Sequence, residues 1–347
     1  MSRFTMSEDE ARTFLAAARE VTVAAVVEGR PLVRTMHAVS QAGGLVLHGA
    51  PQGEKTAWVG SEVVVSTEVV VARIPSHWRH PERACPATTW FRAVQLHGRI
   101  EELEEASDRA LALQALMDHL QPEGGYRPIV VDDPLYTKTI AGLGMWRIVP
   151  DRLVGLNKLG QHLNRRSMNL VLSGLWKRGG EGDLAAIEVL RQAHAEPVQF
   201  TQLPVPGVPR SWPSESDLEA SVELIRDTYW NLGFSDATLR GALRHGIWVG
   251  IEREDRLVAV ARGMSDRHKR GWVYDVVVEP GLRGQGYGKA LVALLLDHPH
   301  LRDVDVLHLG TRDAMGLYER FGFVAAFTRG HGDAARTLMV RDRRVTA

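Results

Sequence analysis

The period of the apolar positions changes repeatedly along the chain. Ser7–Arg19 spaces its apolar residues at helical intervals, and the apolar run Val21–Val27 then predicts a buried strand. Further strands are predicted at Pro31–Val39 and Gly44–Leu47 across the turn "SQAGG", then at Glu62–Ile74 and Phe91–Ile100. Helical spacing returns in "SDRALALQALMDHL", in Leu163–Trp176 and in Leu184–Ala193. Several short strands with few helices favour a small barrel over an alternating βαβ array.

A different order follows the stretch 197–213, "PVQFTQLPVPGVPRSWP", which carries five prolines and reads as an extended connector. Ser216 and Glu219 then have capping-box spacing before Leu218, Val222, Leu224 and Ile225. Helices are expected at about 217–229 and 236–244. A hairpin, "IWVGIEREDRLVAVARG", turns at Glu254-Asp255, and a strand at Val276–Val278 leads into an apolar helix. The strand "VDVLHL", the short helix "DAMGLYERF" and a strand pair around Val324–Phe327 and Thr337–Val340 complete the order. The expected division is a first domain over 1–200, a proline-rich linker over 201–210 and a second domain over 211–347.

Bulk composition narrows the function classes. The chain has 347 residues, enough for about two ordinary domains. Lys+Arg and Asp+Glu both number 42, so no net field draws it to nucleic acid or an anionic membrane. The basic run "NRRS" at 164–167 reads as a solvated helix face. The N-terminal stretch is charged and amphipathic, and Val21–Val27 is too short to span a bilayer. One cysteine, Cys85, leaves no partner for an internal disulfide and no thiolate metal cluster. These features predict a cytoplasmic protein.

The stretch "VYDVVVEPGLRGQGYGKALVALLL", 273–296, sets Gly281, Gly284, Gly286 and Gly288 between a strand and a helix, an arrangement that turns backbone N–H groups towards phosphate. It is not a Walker loop, because Gly288-Lys289 is followed by Ala290. It is not a dinucleotide fingerprint either, because the third glycine position after Gly284 and Gly286 holds Lys289. What remains is Arg283-x-x-Gly286-x-Gly288. That run resembles the signature of the GNAT N-acetyltransferase superfamily, over essentially all of 211–345. The resemblance implies acetyl-coenzyme A as cosubstrate. Its diphosphate would be held by the backbone of Arg283, Gly284, Gln285, Gly286, Tyr287, Gly288 and Lys289, and its pantetheine arm by Val276, Val277 and Val278.

A second element, "TRDAMGLYERFGF" at 311–323, resembles the last helix of that superfamily, which implies that Tyr318 protonates the departing thiolate. A phenol with a pKa of ~10 suits that task at neutral pH. Asp313 stands where many relatives carry Asn. The acceptor amine must lose a proton. Asp275, upstream of the valine strand, is the candidate base or amine ligand, with Glu279 as the other carboxylate at the strand end.

In the first domain, "RPLVRTMHAV" and "GGLVLHGAPQGEKTAWV" offer Arg34 and Lys55, two cations able to converge on one phosphate, and His48 at a strand end. Taken alone these read as surface residues. Together with "WFRAVQLHGRIEEL" they resemble the FMN-binding split barrels, pyridoxamine-phosphate oxidases and nitroimidazole-reductase-like proteins, over about 5–160. The resemblance implies that Arg34 and Lys55 hold the FMN phosphate, that Thr35 and Met36 line the flavin, and that His48, Gly49 and Ala50 pass beside it. It also implies a homodimer through the barrel. Haem, with His48 as axial ligand, is the second cofactor reading. His37, His77, His80 and His97 lack metal-ligand spacing, and no metal is expected.

The fold class expected is α+β in two domains: a split β-barrel of FMN-binding type with added helices, then a GNAT α/β domain with a mixed sheet flanked by helices. The expected function is N-acetylation of a small-molecule amine joined to flavin-dependent chemistry on a small redox substrate. The alternative is an acetyltransferase whose barrel is a non-catalytic flavin or haem sensor.

Overall fold

A computed structural model of the chain describes residues 3–41, 43–330 and 335–344. Ala42, within the expected turn "SQAGG", lies outside the described residues. Contacts divide the chain into two units, residues 1–71 with 89–161 and residues 72–88 with 162–347. No described helix is long and apolar enough to cross a membrane.

The first unit begins with α1 (Glu8–Ala16), whose start is sealed by a capping box between Ser7 and Glu10. Strands β1 (Glu20–Val27), β2 (Arg30–Gln41), β3 (Gly44–Gly49), β4 (Glu62–Ile74) and β5 (Thr88–Glu102) follow. Then come α2 (Ala106–Leu120), α3 (Thr137–Gly142) and β6 (Gly144–Lys158), the last strand having no counterpart in the pattern reading. The six strands close into a barrel in the order β1-β2-β3-β6-β5-β4, with β1 also pairing β4. Closure removes the exposed edges that an open sheet would leave. Strand β1 is half-buried rather than buried. Val21, Val23 and Ala25 face a core with Trp58, Val65 and Trp146, while Val26 is 65% exposed, because a barrel strand has one face outward.

The second unit contains α4 (Arg165–Arg178) and α5 (Asp183–Ala193), then β7 (Val208–Arg210), α6 (Glu215–Ile225), α7 (Asp236–His245), β8 (Ile247–Arg253), β9 (Arg256–Ser265) and β10 (Arg270–Val278). It ends with α8 (Tyr287–Leu296), β11 (Val306–Thr311), α9 (Met315–Glu319), β12 (Val324–Arg329) and β13 (Arg336–Asp342). One seven-stranded sheet runs β12-β13-β11-β10-β9-β8-β7, antiparallel except where β10 meets β11. The β8–β9 hairpin turns at Glu254 and Asp255, both with positive φ, the conformation a tight two-residue hairpin demands. Val277 packs with Leu218 and Val222 of α6 and Leu239 and Leu243 of α7.

Two features depart from the sequence reading. Helices α4 and α5, expected with the first domain, cluster with the second unit. The connector ends in strand β7, whose Val208–Arg210 pair with Gly250–Glu252 of β8. Both follow from Arg210. Its guanidinium is buried and donates to Glu188 of α5 at 2.7 Å, to Asp217 of α6 at 2.7 Å and to Glu252 of β8. Ser211 adds a backbone N–H to Glu188 at 2.8 Å. Burial alone pushes the Arg210 guanidinium towards neutrality, but the three carboxylates outweigh it and its pKa lies above the ordinary value. Asp217 also sets the start of α6. The capping box is Ser214 with Asp217, not Ser216 with Glu219, because Asp217 sits at the third helical position while its carboxylate reaches Arg210.

Arg210→Met should therefore leave Asp217 without a cation, and Glu188 and Glu252 with Arg191 alone, and destabilise the second unit by about 3–5 kcal/mol. Urea unfolding of the whole chain, followed by tryptophan fluorescence, measures this; a loss below about 1 kcal/mol would contradict the role given to Arg210.

Candidate functional site

The glycine stretch forms a loop and helix start at one end of the seven-stranded sheet. After Val278 a short turn, Pro280–Leu282, leads to Gly284 and Gly286, with φ of 75° and 92°. No L side chain sits easily at those values, so glycine is required there. A Cβ at Gly284 would meet nothing within 4 Å, so the loop face is open. The amides of Leu282 and Arg283 are taken by Glu279 and Pro280. Those of 284–289 have no acceptor among the described residues, because they precede the first intrahelical bond of α8. The outcome is a row of unpaired N–H groups at the positive end of a helix.

The remaining loop side chains are accounted for individually. Arg283 folds back to the Val278 carbonyl at 3.1 Å, and Gln285 to the Gly281 carbonyl at 2.9 Å. Lys289 is exposed. Tyr287 is 2% exposed, its hydroxyl donating to the Pro206 carbonyl at 2.8 Å, so only its backbone can serve a ligand. Gly288 has ordinary φ, and a Cβ there would touch Leu317 at 3.7 Å and Val278 at 4.0 Å. This ties the loop to α9.

Beside the loop, β10 and β11 part company. They pair only through Arg270/Val306, Gly271/Leu307 and Trp272/His308, yet β10 continues to Val278 and β11 to Thr311. A gap thus opens inside the sheet, with backbone groups of the valine strand along one wall. Val277 turns its side chain into the core, while Val276 and Val278 are partly exposed.

A bulge in β10, between Tyr274 and Val277, accompanies the divergence. At its centre Asp275 has a φ of 49°, uncommon for a residue with a Cβ. The carboxylate is buried and accepts from Arg262 Nε at 2.7 Å, Trp230 Nε1 at 3.0 Å and Asn231 Nδ2 at 3.1 Å. Where the sequence reading expects a base or amine ligand, the side chain is committed to a buried ion pair. Taking up a proton would strip Arg262, itself 13% exposed, of its counter-charge. Glu279 is half-exposed and lies 3.5 Å from Arg256.

Tyr318 of α9 is 8% exposed, its ring edge-on to Phe323. Burial first, then Tyr229 and Asp313, pushes its pKa up to about 12. Asp313, the residue in place of the expected Asn, thus acts on the phenol through its charge. A thiol has a pKa near ~8.5, so complete proton transfer from Tyr318 to a thiolate is uphill by on the order of 5 kcal/mol. The hydroxyl is suited to donate a hydrogen bond to developing sulfur charge. An exposed aromatic row lies on the same sheet, Trp272 stacking on His308 at 4.9 Å and Tyr274 at 6.0 Å; no pattern in the sequence pointed to it.

In the barrel, Arg34 of β2 is exposed and pairs with Glu54, so its charge is already met by a carboxylate. Lys55, from the short turn 54–58, brings Nζ to 2.7 Å from where a Cβ on Gly49 would lie. His48 and His37 stack at 6.2 Å. Nδ1 of His48 is buried without a partner, and burial, then His37 and Lys55, lowers its pKa. Thr35 and Ala50 are exposed. Met36, expected to line the flavin, turns its side chain into the barrel core at 5% exposure, because alternation along β2 sends it inward. No group of three metal-ligating residues occurs among the described residues.

Comparison with known proteins agrees with both halves. Residues 7–156 match the family "Pyridoxamine 5'-phosphate oxidase", and residues 210–323 match the "Acetyltransferase (GNAT) family". The chain therefore joins a pyridoxamine-phosphate-oxidase-like domain to a GNAT acetyltransferase domain. It is similar to the "Histone acetyltransferase TAP1" of Glycine max, 36% identical over 73 residues that make up 21% of this chain and 32% of that protein. The chain thus spans about a third of that relative's length. A GNAT-family acetyltransferase structure from Xanthomonas campestris pv. campestris is 29% identical, covering 38% of this chain and 96% of its own, with a TM-score of 0.33. The FAD and haem binding protein from Mycobacterium smegmatis is 18% identical, covering 46% of this chain and 75% of its own, with a TM-score of 0.40.

The Asp275 pair yields a direct test. Asp275→Ala should destabilise the second unit by about 3–5 kcal/mol, as loss of one partner from a buried pair does. The urea midpoint reports it, and an unchanged midpoint would mean that Asp275 is not the anchor of the bulge.

Proposed function

We propose that the second unit transfers the acetyl group of acetyl-coenzyme A to the amine of a small molecule. The observation that carries this reading is the row of unpaired amides at 284–289 beside the internal gap between β10 and β11. A diphosphate carries negative charge and many acceptor oxygens, which suits that row. An arm with amide groups suits unpaired strand backbone, as an added strand would. In this reading the amine attacks the thioester carbonyl, the carbon–sulfur bond breaks, and Tyr318 donates a hydrogen bond to the leaving sulfur. The amine's proton passes to solvent, since Asp275 is engaged by Arg262.

We further propose that the barrel binds FMN and acts on a small redox substrate. Lys55 and Arg34 would hold the phosphate, Arg34 exchanging Glu54 for it, and the unpartnered Nδ1 of His48 gives the site one buried polar atom to satisfy. Thr35, Gly49, Ala50 and the backbone of Met36 would line the rest. When bound, FMN supplies hydride and electron transfer. The exposed Val26 and Val33 on β1 and β2 support a second copy of the chain as the barrel's partner. Residence in the cytoplasm is part of the same reading.

Variants in the glycine loop, at Tyr318 and in the barrel test these readings. Gly286→Val forces a β-branched residue into a φ of 92°, so calorimetric affinity for acetyl-coenzyme A should collapse; unchanged affinity would sink the loop assignment. Tyr318→Phe should lower kcat by roughly 10²-fold or more with little change in coenzyme affinity. Because burial holds the wild-type phenol protonated to about pH 12, kcat/KM should show no alkaline decline from Tyr318 below pH ~10. Lys55→Ala should weaken FMN binding by a few kcal/mol at most, about 1.5–3, and His48→Ala, which removes one neutral contact, by about 1 kcal/mol or less. A Soret band lost in His48→Ala would replace FMN with haem.

A further inference from the structure

The second unit also holds a cleft of about 830 Å3, at the end of the sheet away from the glycine loop. The start of β8 and the end of β9 line it, where β7, paired only with Gly250–Glu252, no longer covers β8. Ala259 pairs with Val278 beside the loop, and the residues from there to Ser265 in the cleft span about 20 Å of strand. The volume is that of a small-molecule pocket.

Its lining combines exposed apolar side chains with cations. Trp212 and Met264 lie open to solvent at 48% and 53% exposure. Arg244 and Arg267 both line the cleft, against a single acidic residue, Glu181. Arg244 is already met by Glu215 at 2.7 Å. Among the described residues no carboxylate pairs with Arg267. Behind it lies His298, 1% exposed, with that remaining surface in the cleft. Its Nδ1 accepts the His300 backbone N–H at 3.1 Å, which leaves the ring proton on Nε2. Nε2–H has no acceptor among the described residues. Burial, then the charges of His300, Arg302 and Arg267, holds the ring neutral, its pKa well below the usual value. His298 and an uncompensated guanidinium thus both border one cleft, and a metal cation would be repelled from it.

We propose that this cleft binds a small organic anion with a flat apolar body, an aromatic carboxylate in kind. Its charge meets Arg267 and the Nε2–H of His298, and its ring lies against Trp212 and Met264. The site is separate from the acetyl-coenzyme A loop and goes beyond the acetyl-transfer reading.

Calorimetry on the full chain with indole-3-acetate, and with indole-3-ethanol as the neutral isostere, tests it. The carboxylate should bind at least about tenfold tighter than the alcohol. Saturating acetyl-coenzyme A should not displace it. Arg267→Asn, which tolerates the left-handed φ of 66°, and Trp212→Ala should each weaken binding about tenfold. Ala185→Trp, which fills the cleft from α5 and leaves Arg267 in place, should abolish it and provides a check should Arg267→Asn not fold. Equal binding of the alcohol, competition by acetyl-coenzyme A, unaltered affinity in folded variants, or no binding of the carboxylate would each overturn the proposal.

Discussion

The ion pair between Arg262 and Asp275 is the constraint on which the acetyltransferase unit turns. An aspartate with a φ of 49° in a central strand costs conformational energy, and its buried charge costs solvation. Both are offset by three donors from two places: Arg262 on β9, and Trp230 and Asn231 after α6. The pair therefore holds the bulge in β10 and fastens the segment before α7 to the sheet. Arg262 is also sandwiched over the Tyr274 ring at 4.6 Å, so its position is defined from both sides.

From the bulge onward the geometry follows in order. Strand β10 bends away from β11, whose other edge stays fully paired with β13 from Val306 to Thr311. The sheet opens from within rather than at its rim. The same bend aims β10 at the glycine turn, whose left-handed residues bring α8 in with its first amides unspent. Helix α9 then reaches the loop through Leu317, with Tyr318 buried beside it. A ligand spanning loop and gap would find backbone donors already in place, an arrangement organised before anything binds.

A second buried charge cluster does a different job. Arg210 collects carboxylates from α5, α6 and β8, and Arg191 adds a second cation beside Glu188 and Glu252. Such networks discriminate among packings, since any displaced partner leaves a charge unpaired in the interior. This is why α4 and α5, which lie ahead of the connector in sequence, belong structurally to the sheet that follows it. Proline-rich spacing at 197–213 reads as a break, but a single guanidinium makes its last residues a strand.

Local patterns determined much of this protein: most of the helix and strand order, though not α3, β6 or β7, the hairpin at Glu254-Asp255, and the glycine loop whose φ values only glycine adopts freely. Tyr318, Arg34, His48 and Lys55 became candidates through resemblance to known families, since taken alone the last three read as surface residues. Tertiary structure alone decided how those residues are used. Asp275 became an anchor because a bulge turned it towards Arg262, thirteen residues away in sequence. Tyr287 and Met36 went inward because strand alternation and packing, not motif membership, set side-chain direction. Arg34 met Glu54, and Arg210 gathered three acids, through contacts between segments twenty or more residues apart or on separate elements. Charge pairing and burial depend on what the fold brings near in space, and a linear pattern carries no measure of that distance.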